Sequence, residues 1–109
     1  MSEINNSNRY CTLINVFSVE PDKHQELFGL LKEATENVMC KLPGYISTNI
    51  HISDDKKTVT NYAQWQTLQD FRNMLQNEDA QKHMKAAASV ATEFRPVTYN
   101  SIWSHSNKK

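Results

Sequence analysis

Asn61 and Trp65 stand four positions apart in Thr58 to Trp65 (TVTNYAQW), a segment with the β-branched and aromatic make-up of a strand. Side chains alternate along a strand, so the carboxamide and the indole fall on one face. Ala63 between them is small and leaves a gap above the sheet. An amide, a gap and an indole N–H make one wall of a pocket that can hold and orient a polar aromatic molecule. The bland alternative is a core tryptophan beside an asparagine that satisfies nearby backbone. Asn15, in the middle of Cys11 to Val19 (CTLINVFSV), is a second amide between apolar neighbours. If both amides point inward, both need partners.

Other chemistry-bearing residues form no comparable set. His51 alternates with Asn49 and Ser53, which suits an interface histidine; His24 and His105 read as exposed, and His83 can turn either to solvent or to a pocket. No histidine and carboxylate group has metal-ligand spacing. With two glycines in the chain there is no GxGxxG, P-loop or GxSxG. Met74 and Met84 at helical spacing suit core filling better than a cofactor box.

The elements that must position these residues follow from periodicity. Cys11 to Val19 is the first strand, with Leu13, Asn15, Phe17 and Val19 on one face. After Glu20-Pro21, Asp22 and Gln25 suggest a helix cap, and Leu27, Leu30, Leu31, Ala34, Val38 and Leu42 predict about five helical turns, stopped by Pro43-Gly44. Tyr45 to Ser53 alternates, with Ile46, Thr48, Ile50 and Ile52 on one face and Tyr45, Ser47, Asn49 and His51 on the other. A polar turn at Asp54 to Lys57 leads to the strand carrying Asn61. Thr67 and Asp70 cap a second helix with Leu68, Phe71 and Leu75 on its stripe; a further helix covers Ala80 to Ala91, and Val97 to Ser104 is the last strand.

Strand, helix, strand, strand, helix pair, strand is the split βαβ, ferredoxin-like order of an α+β fold, an antiparallel sheet with helices on one face. The other face, with Ile14, Val16, Tyr45 and Tyr62, is too apolar for bulk water and predicts a homodimer packed sheet to sheet. Residues 1–10 read as a flexible leader, 11–104 as one domain and 105–109 as a tail.

Composition agrees with one small domain. The chain has 109 residues, 39% of them apolar, enough for one core and little spare room for a cavity. Twelve basic and twelve acidic residues cancel, and no basic face signals nucleic acid. No long apolar run or basic amphipathic helix signals a membrane. The polar start, Met1 to Asn8, is unlike a signal peptide, and two cysteines make no disulfide framework, so the expectation is cytoplasmic with free thiols.

At Pro43 to Tyr45 (PGY), at His51 and above all at Asn61 to Trp65 (NYAQW), the chain resembles the antibiotic biosynthesis monooxygenase family. The resemblance runs from about Leu13 to Trp103; the stretch INVFSVEPDKHQEL is similar to that family's first strand and turn, and Asp54-Asp55 fits its hairpin. NYAQW is most similar to the anthrone monooxygenases of aromatic polyketide tailoring. The resemblance implies dimeric α+β barrels, each subunit with its own cavity between sheet and helices. It also implies oxidation of an electron-rich anthrone- or quinol-like aromatic by molecular oxygen, with no metal, flavin or haem.

Carried over by position, Asn61 would hydrogen-bond the substrate oxygen as it becomes an enolate, and Trp65 would donate its N–H to substrate or to a peroxy intermediate. Asn15, Ile50, Phe71, Met74 and Lys85 would bind substrate. Phe71 and Ile50 stand where the anthrone enzymes have tyrosines, and Lys85 where they have an arginine, so the expected pocket lacks two hydroxyls.

Two alternatives remain. In the related haem-degrading monooxygenases, Asn15 fits a first-strand asparagine, but their tryptophan corresponds to Met74 and their haem-ligating histidine to Met84. His83, one position earlier, would then point away from a haem. The other alternative is a non-catalytic dimeric module for binding a small molecule or responding to stress.

Overall fold

The computed structural model describes residues 10–107. Most of the expected leader, and the end of the expected tail, lie outside the described residues. Four strands, β1 (Cys11–Ser18), β2 (Tyr45–Ile52), β3 (Thr58–Trp65) and β4 (Glu93–Tyr99), form one antiparallel sheet in the order β2-β3-β1-β4. Helices α1 (His24–Asn37), α2 (Leu68–Leu75) and α3 (Glu78–Val90) complete the ferredoxin-like order, so the expected fold class holds.

Several local expectations differ from the structure. Asp22 caps nothing: a 3-10 turn, Pro21–Lys23, leads into α1, whose start has no side-chain cap. The long first helix also ends early. Val38, at φ −129°, breaks it, and a second 3-10 turn, Met39–Lys41, carries the chain to Pro43. On α2 the buried residues are Phe71 and Met74, while Leu68 is 41% exposed. The last strand begins four residues earlier than predicted and includes Arg95 and Pro96. Proline suits it because β4 is an edge strand, where a missing N–H leaves no ladder bond broken on the open side.

A further difference bears on the site. Tyr45 pairs with Trp65 and Ser47 with Gln64, so Ile46 is an extra residue in the β2–β3 ladder. A bulge of one residue reverses the side-chain alternation on one side of it. Tyr45 therefore lies on the helix side and not on the open face. Gly44, at φ +85°, makes the turn that feeds this bulge; a Cβ there would run into the Asp70 side chain.

The Thr67 and Asp70 signal acts as read, while α3 starts from a cap at Asn77 that the sequence reading did not assign. The Asp70 N–H donates to the Thr67 hydroxyl at 3.0 Å, capping α2, and the Ala80 N–H donates to Asn77 Oδ1 at 2.9 Å, capping α3 two residues before the predicted start.

The core between sheet and helices is split. One cluster gathers Cys11, Leu13, Trp65, Phe71, Met74 and Ala80; the other gathers Phe17, Val19, Leu27, Leu31, Val59 and Ala87. Along β1 and β3 the two are separated by one cross-strand pair, Asn15 and Asn61. Hydrophobic burial thus anchors both ends of the sheet while its middle row stays polar.

Candidate active site

Asn15 and Asn61 are directly opposite in the β1–β3 register, and the alternation of Leu13, Asn15 and Phe17 turns both toward the helices. Each carboxamide oxygen, Oδ1, is buried without a hydrogen-bond partner. A buried acceptor left unsatisfied costs about 1–3 kcal/mol. Two such groups side by side exclude the bland role of an asparagine whose oxygen is tied to backbone.

Both line a cavity of about 660 Å³. That is within the range of about 300–1,000 Å³ usual for small-molecule sites. The underside of α3 explains the space: Ala80, Ala87 and Ala88 face inward, and Ala63 lies across from them on β3. The outer wall carries Lys85 and Gln81 of α3 and Phe94, Pro96 and Thr98 of β4, all exposed, so the mouth opens between α3 and the β4 edge.

Trp65 is 2% exposed and forms part of the wall. The Tyr45 ring meets it edge to face, with centroids 5.6 Å apart at 85°, and the Tyr45 hydroxyl donates to Thr48 Oγ1 at 2.8 Å. This contact follows from the bulge, because only there does Tyr45 reach the indole. It fixes the ring plane of the tryptophan.

Among the sequence-predicted site residues, Asn61, Trp65, Asn15, Phe71, Met74 and Lys85 all line this one cavity. Ile50 does not. It stands opposite Asn61 in the β2–β3 register, but packs on the second core cluster. The wall takes Phe94, Pro96 and Thr98 from β4 and only Tyr45 and Thr48 from β2, so the space lies toward the other edge of the sheet. Residues the sequence reading missed are Tyr45, Thr48 and Gln81. His83, which that reading turned away from a haem, lines the cavity.

No group of three His, Cys, Asp or Glu side chains able to hold a metal occurs among the described residues. Both cysteines are free; burial pushes the Cys11 thiol up, with the Arg72 charge acting weakly the other way. No helix among the described residues is long and apolar enough to cross a membrane.

A ferredoxin-like domain with an apolar, amide-bearing cavity beneath its helices is thus the class that fold and site define. Residues 11–86 match the model of the antibiotic biosynthesis monooxygenase family. Tetracenomycin-F1 monooxygenase of Streptomyces glaucescens is 40% identical over 91 residues, covering 84% of this chain and 81% of that protein. The chain belongs to the antibiotic biosynthesis monooxygenase family. Solved structures share the fold. The ActVA-Orf6 monooxygenase of Streptomyces coelicolor, in complex with nanaomycin D, superposes with a TM-score of 0.81 at 21% identity, over 94% of this chain and 95% of that one. SnoaB, a cofactor-independent oxygenase from Streptomyces nogalater, gives 0.69 at 17% identity, over 88% of this chain and 96% of that one.

Proposed function

We propose that this protein oxidises an electron-rich polycyclic phenol, of anthrone or quinol type, with molecular oxygen and without metal, flavin or haem. The observation that carries the reading is the pair of unpartnered carboxamide oxygens in a mostly apolar cavity. Acceptors without donors call for a ligand that brings hydroxyl groups, and the surrounding apolar wall calls for a flat apolar body between them. A hydroxylated aromatic supplies both.

The chemistry then needs little from the protein beyond position and charge. Loss of the phenolic proton leaves an electron-rich anion. It gives one electron to oxygen, and the resulting pair combines to a carbon–peroxide bond. Loss of water from that peroxide leaves a new carbonyl: one oxygen atom stays on carbon and the other leaves as water. Asn61 donates its amide N–H to the substrate oxygen as charge builds there, with Asn15 beside it, and the Trp65 indole N–H serves the substrate or the peroxide. Phe71 and Met74 cover the rings, and Lys85 at the mouth favours the anion. The sequence relative named for tetracenomycin F1 supports an aromatic polyketide as the substrate class.

The open sheet face supports a homodimer. Ile14, Tyr62 and Val97 are half-buried there, and Val16 and Tyr99 are 39% and 46% exposed. Packing two such faces together would remove this apolar surface from water.

Oxygen consumption with anthrones, quinols and haem, with chelator present, tests the reading. Uptake with an anthrone or quinol, unaffected by chelator, is expected. A tight stoichiometric haemin complex that loses its Soret band with reductant, with no uptake on phenols, would overturn it.

A further inference from the structure

We propose that His83 is the base that takes the hydroxyl proton of the bound phenol; the proposal rests on the oxygenase reading above. The cavity's polar groups can be taken in turn. Asn15 and Asn61 hold a substrate oxygen but cannot accept a proton from it near neutral pH. The Thr35 hydroxyl donates to Leu31 O at 2.9 Å, and Gln81 Nε2 donates to Leu75 O at 2.9 Å. Tyr45 is committed to Thr48. Phe71 has no hydroxyl at all. Two ionisable groups are left on the wall, His83 and Lys85, and neither has a hydrogen bond or ion pair among the described residues. An ammonium has no site for another proton. Imidazole ordinarily exchanges one between pH 5 and 8, which is the property the step requires.

The placement on α3 fits a division of labour. Two residues along a helix is about 200° of rotation, so His83 and Lys85 flank the inward face on opposite sides. A phenol lying beneath Met84 and Ala87 therefore has the imidazole on one flank and the ammonium on the other. The O–H bond breaks, its proton moves to a ring nitrogen, and the electron pair stays on the substrate oxygen, stabilised by Lys85 and the Asn61 amide. The imidazolium returns the proton to the terminal peroxide oxygen. The O–O bond then breaks, the peroxide carbon gives its hydrogen to the departing hydroxide as water, the carbonyl forms, and His83 ends the turnover neutral.

Few other charges bear on this histidine. The cavity wall takes Leu31, Ala34 and Thr35 from α1 and Phe71, Met74 and Leu75 from α2, none of which ionises near neutral pH, and the sheet adds no carboxylate. On its own helix, Asp79 lies one turn earlier on the same side.

Dithranol, a dihydroxyanthrone with a coloured anion, is the probe. Mixed anaerobically with the wild-type protein at neutral pH, it should show the anion band; with His83→Gln it should bind and remain neutral. With oxygen admitted, His83→Gln should lose about 10²- to 10⁴-fold in kcat, with KM little changed. The wild-type rate should fall on the acid side, where a catalytic base is protonated, and that limb should vanish in the variant. The variant's defect should shrink above the free phenol's own pKa, because the substrate then arrives ionised, and a merely structural histidine would show no such rescue. An anion band and acid limb unchanged in His83→Gln would overturn the proposal. Should the variant fail to fold, the wild type alone decides: an anion band that titrates as in free solution also overturns it. A band that depends on His83, with no oxygen uptake by the wild type, would instead sink the oxygenase reading and leave the base.

Discussion

Asn15 and Asn61 face each other across β1 and β3, and neither carboxamide oxygen finds a donor. The pair divides two hydrophobic clusters that would otherwise meet. A row of leucines there would close the core, so the amides hold the cavity open at a cost in stability. Asn61→Leu should therefore raise the melting temperature, by an amount corresponding to about 1–3 kcal/mol, while abolishing oxygen uptake. A lower melting temperature would show that the amide is structural.

Trp65 is buried against Tyr45, so a substitution there must keep an aromatic ring. Trp65→Phe keeps an aromatic ring for Tyr45 to pack against and removes the indole N–H. Loss of one donor to developing negative charge typically costs about 10²–10³ in kcat. The variant should fold, by circular dichroism, and bind phenols with little change in affinity. Full activity in Trp65→Phe would remove the indole from the mechanism.

The amide and the indole were legible because strand alternation is strict between Thr58 and Trp65. The same rule failed on β2, where one extra residue at Ile46 moves Tyr45 to the other face. Nothing in YISTNIHI marks that bulge, so the tyrosine that orients the tryptophan could not be read. Ile50 shows a different limit. Its face was read correctly, but which end of the sheet stays empty depends on how α1 and α3 sit, and local periodicity does not carry that. Pro96 hid the start of β4 because proline argues against a strand until the strand is known to lie at an edge. His83 was ambiguous since it flanks the inward stripe of α3.

The β2–β3 hairpin should respond to acid. The Lys57 backbone N–H donates to Asp55 Oδ1 at 3.0 Å and the Ser53 hydroxyl at 2.7 Å, and these bonds hold the Asp55 carboxyl below its usual value of 3.8. A depressed pKa stabilises the folded turn above the unfolded value and loses that effect as pH falls through the folded one. Protection of the Lys57 amide, relative to its intrinsic exchange rate, should therefore hold at neutral pH and be lost as pH falls through the depressed Asp55 value, below 3.8. In Asp55→Asn the acid-dependent step should be missing, with the melting temperature at neutral pH hardly moved, since the group is fully exposed. An identical acid response in Asp55→Asn would place its origin elsewhere.

The sheet face away from the helices offers the sharpest test of assembly. Val16 stands between Thr60 and Arg95 near the centre of that face, with Ile14 and Tyr62 in the next row. At 39% exposure it contributes little to the core of one chain, so Val16→Lys should leave the monomer folded. In a sheet-to-sheet dimer the same change buries two unpaired ammonium groups beside Arg95 and its symmetry mate. Breaking an interface in this way costs about 3–5 kcal/mol, which raises the dimer Kd by more than 10²-fold. Sedimentation at micromolar concentration should show wild-type dimers and Val16→Lys monomers. Each cavity lies on the opposite side of its own sheet, so the monomeric variant should still bind dithranol. A monomeric wild type would refute the pairing, and loss of binding in a folded Val16→Lys monomer would mean that the partner shapes the cavity through the sheet.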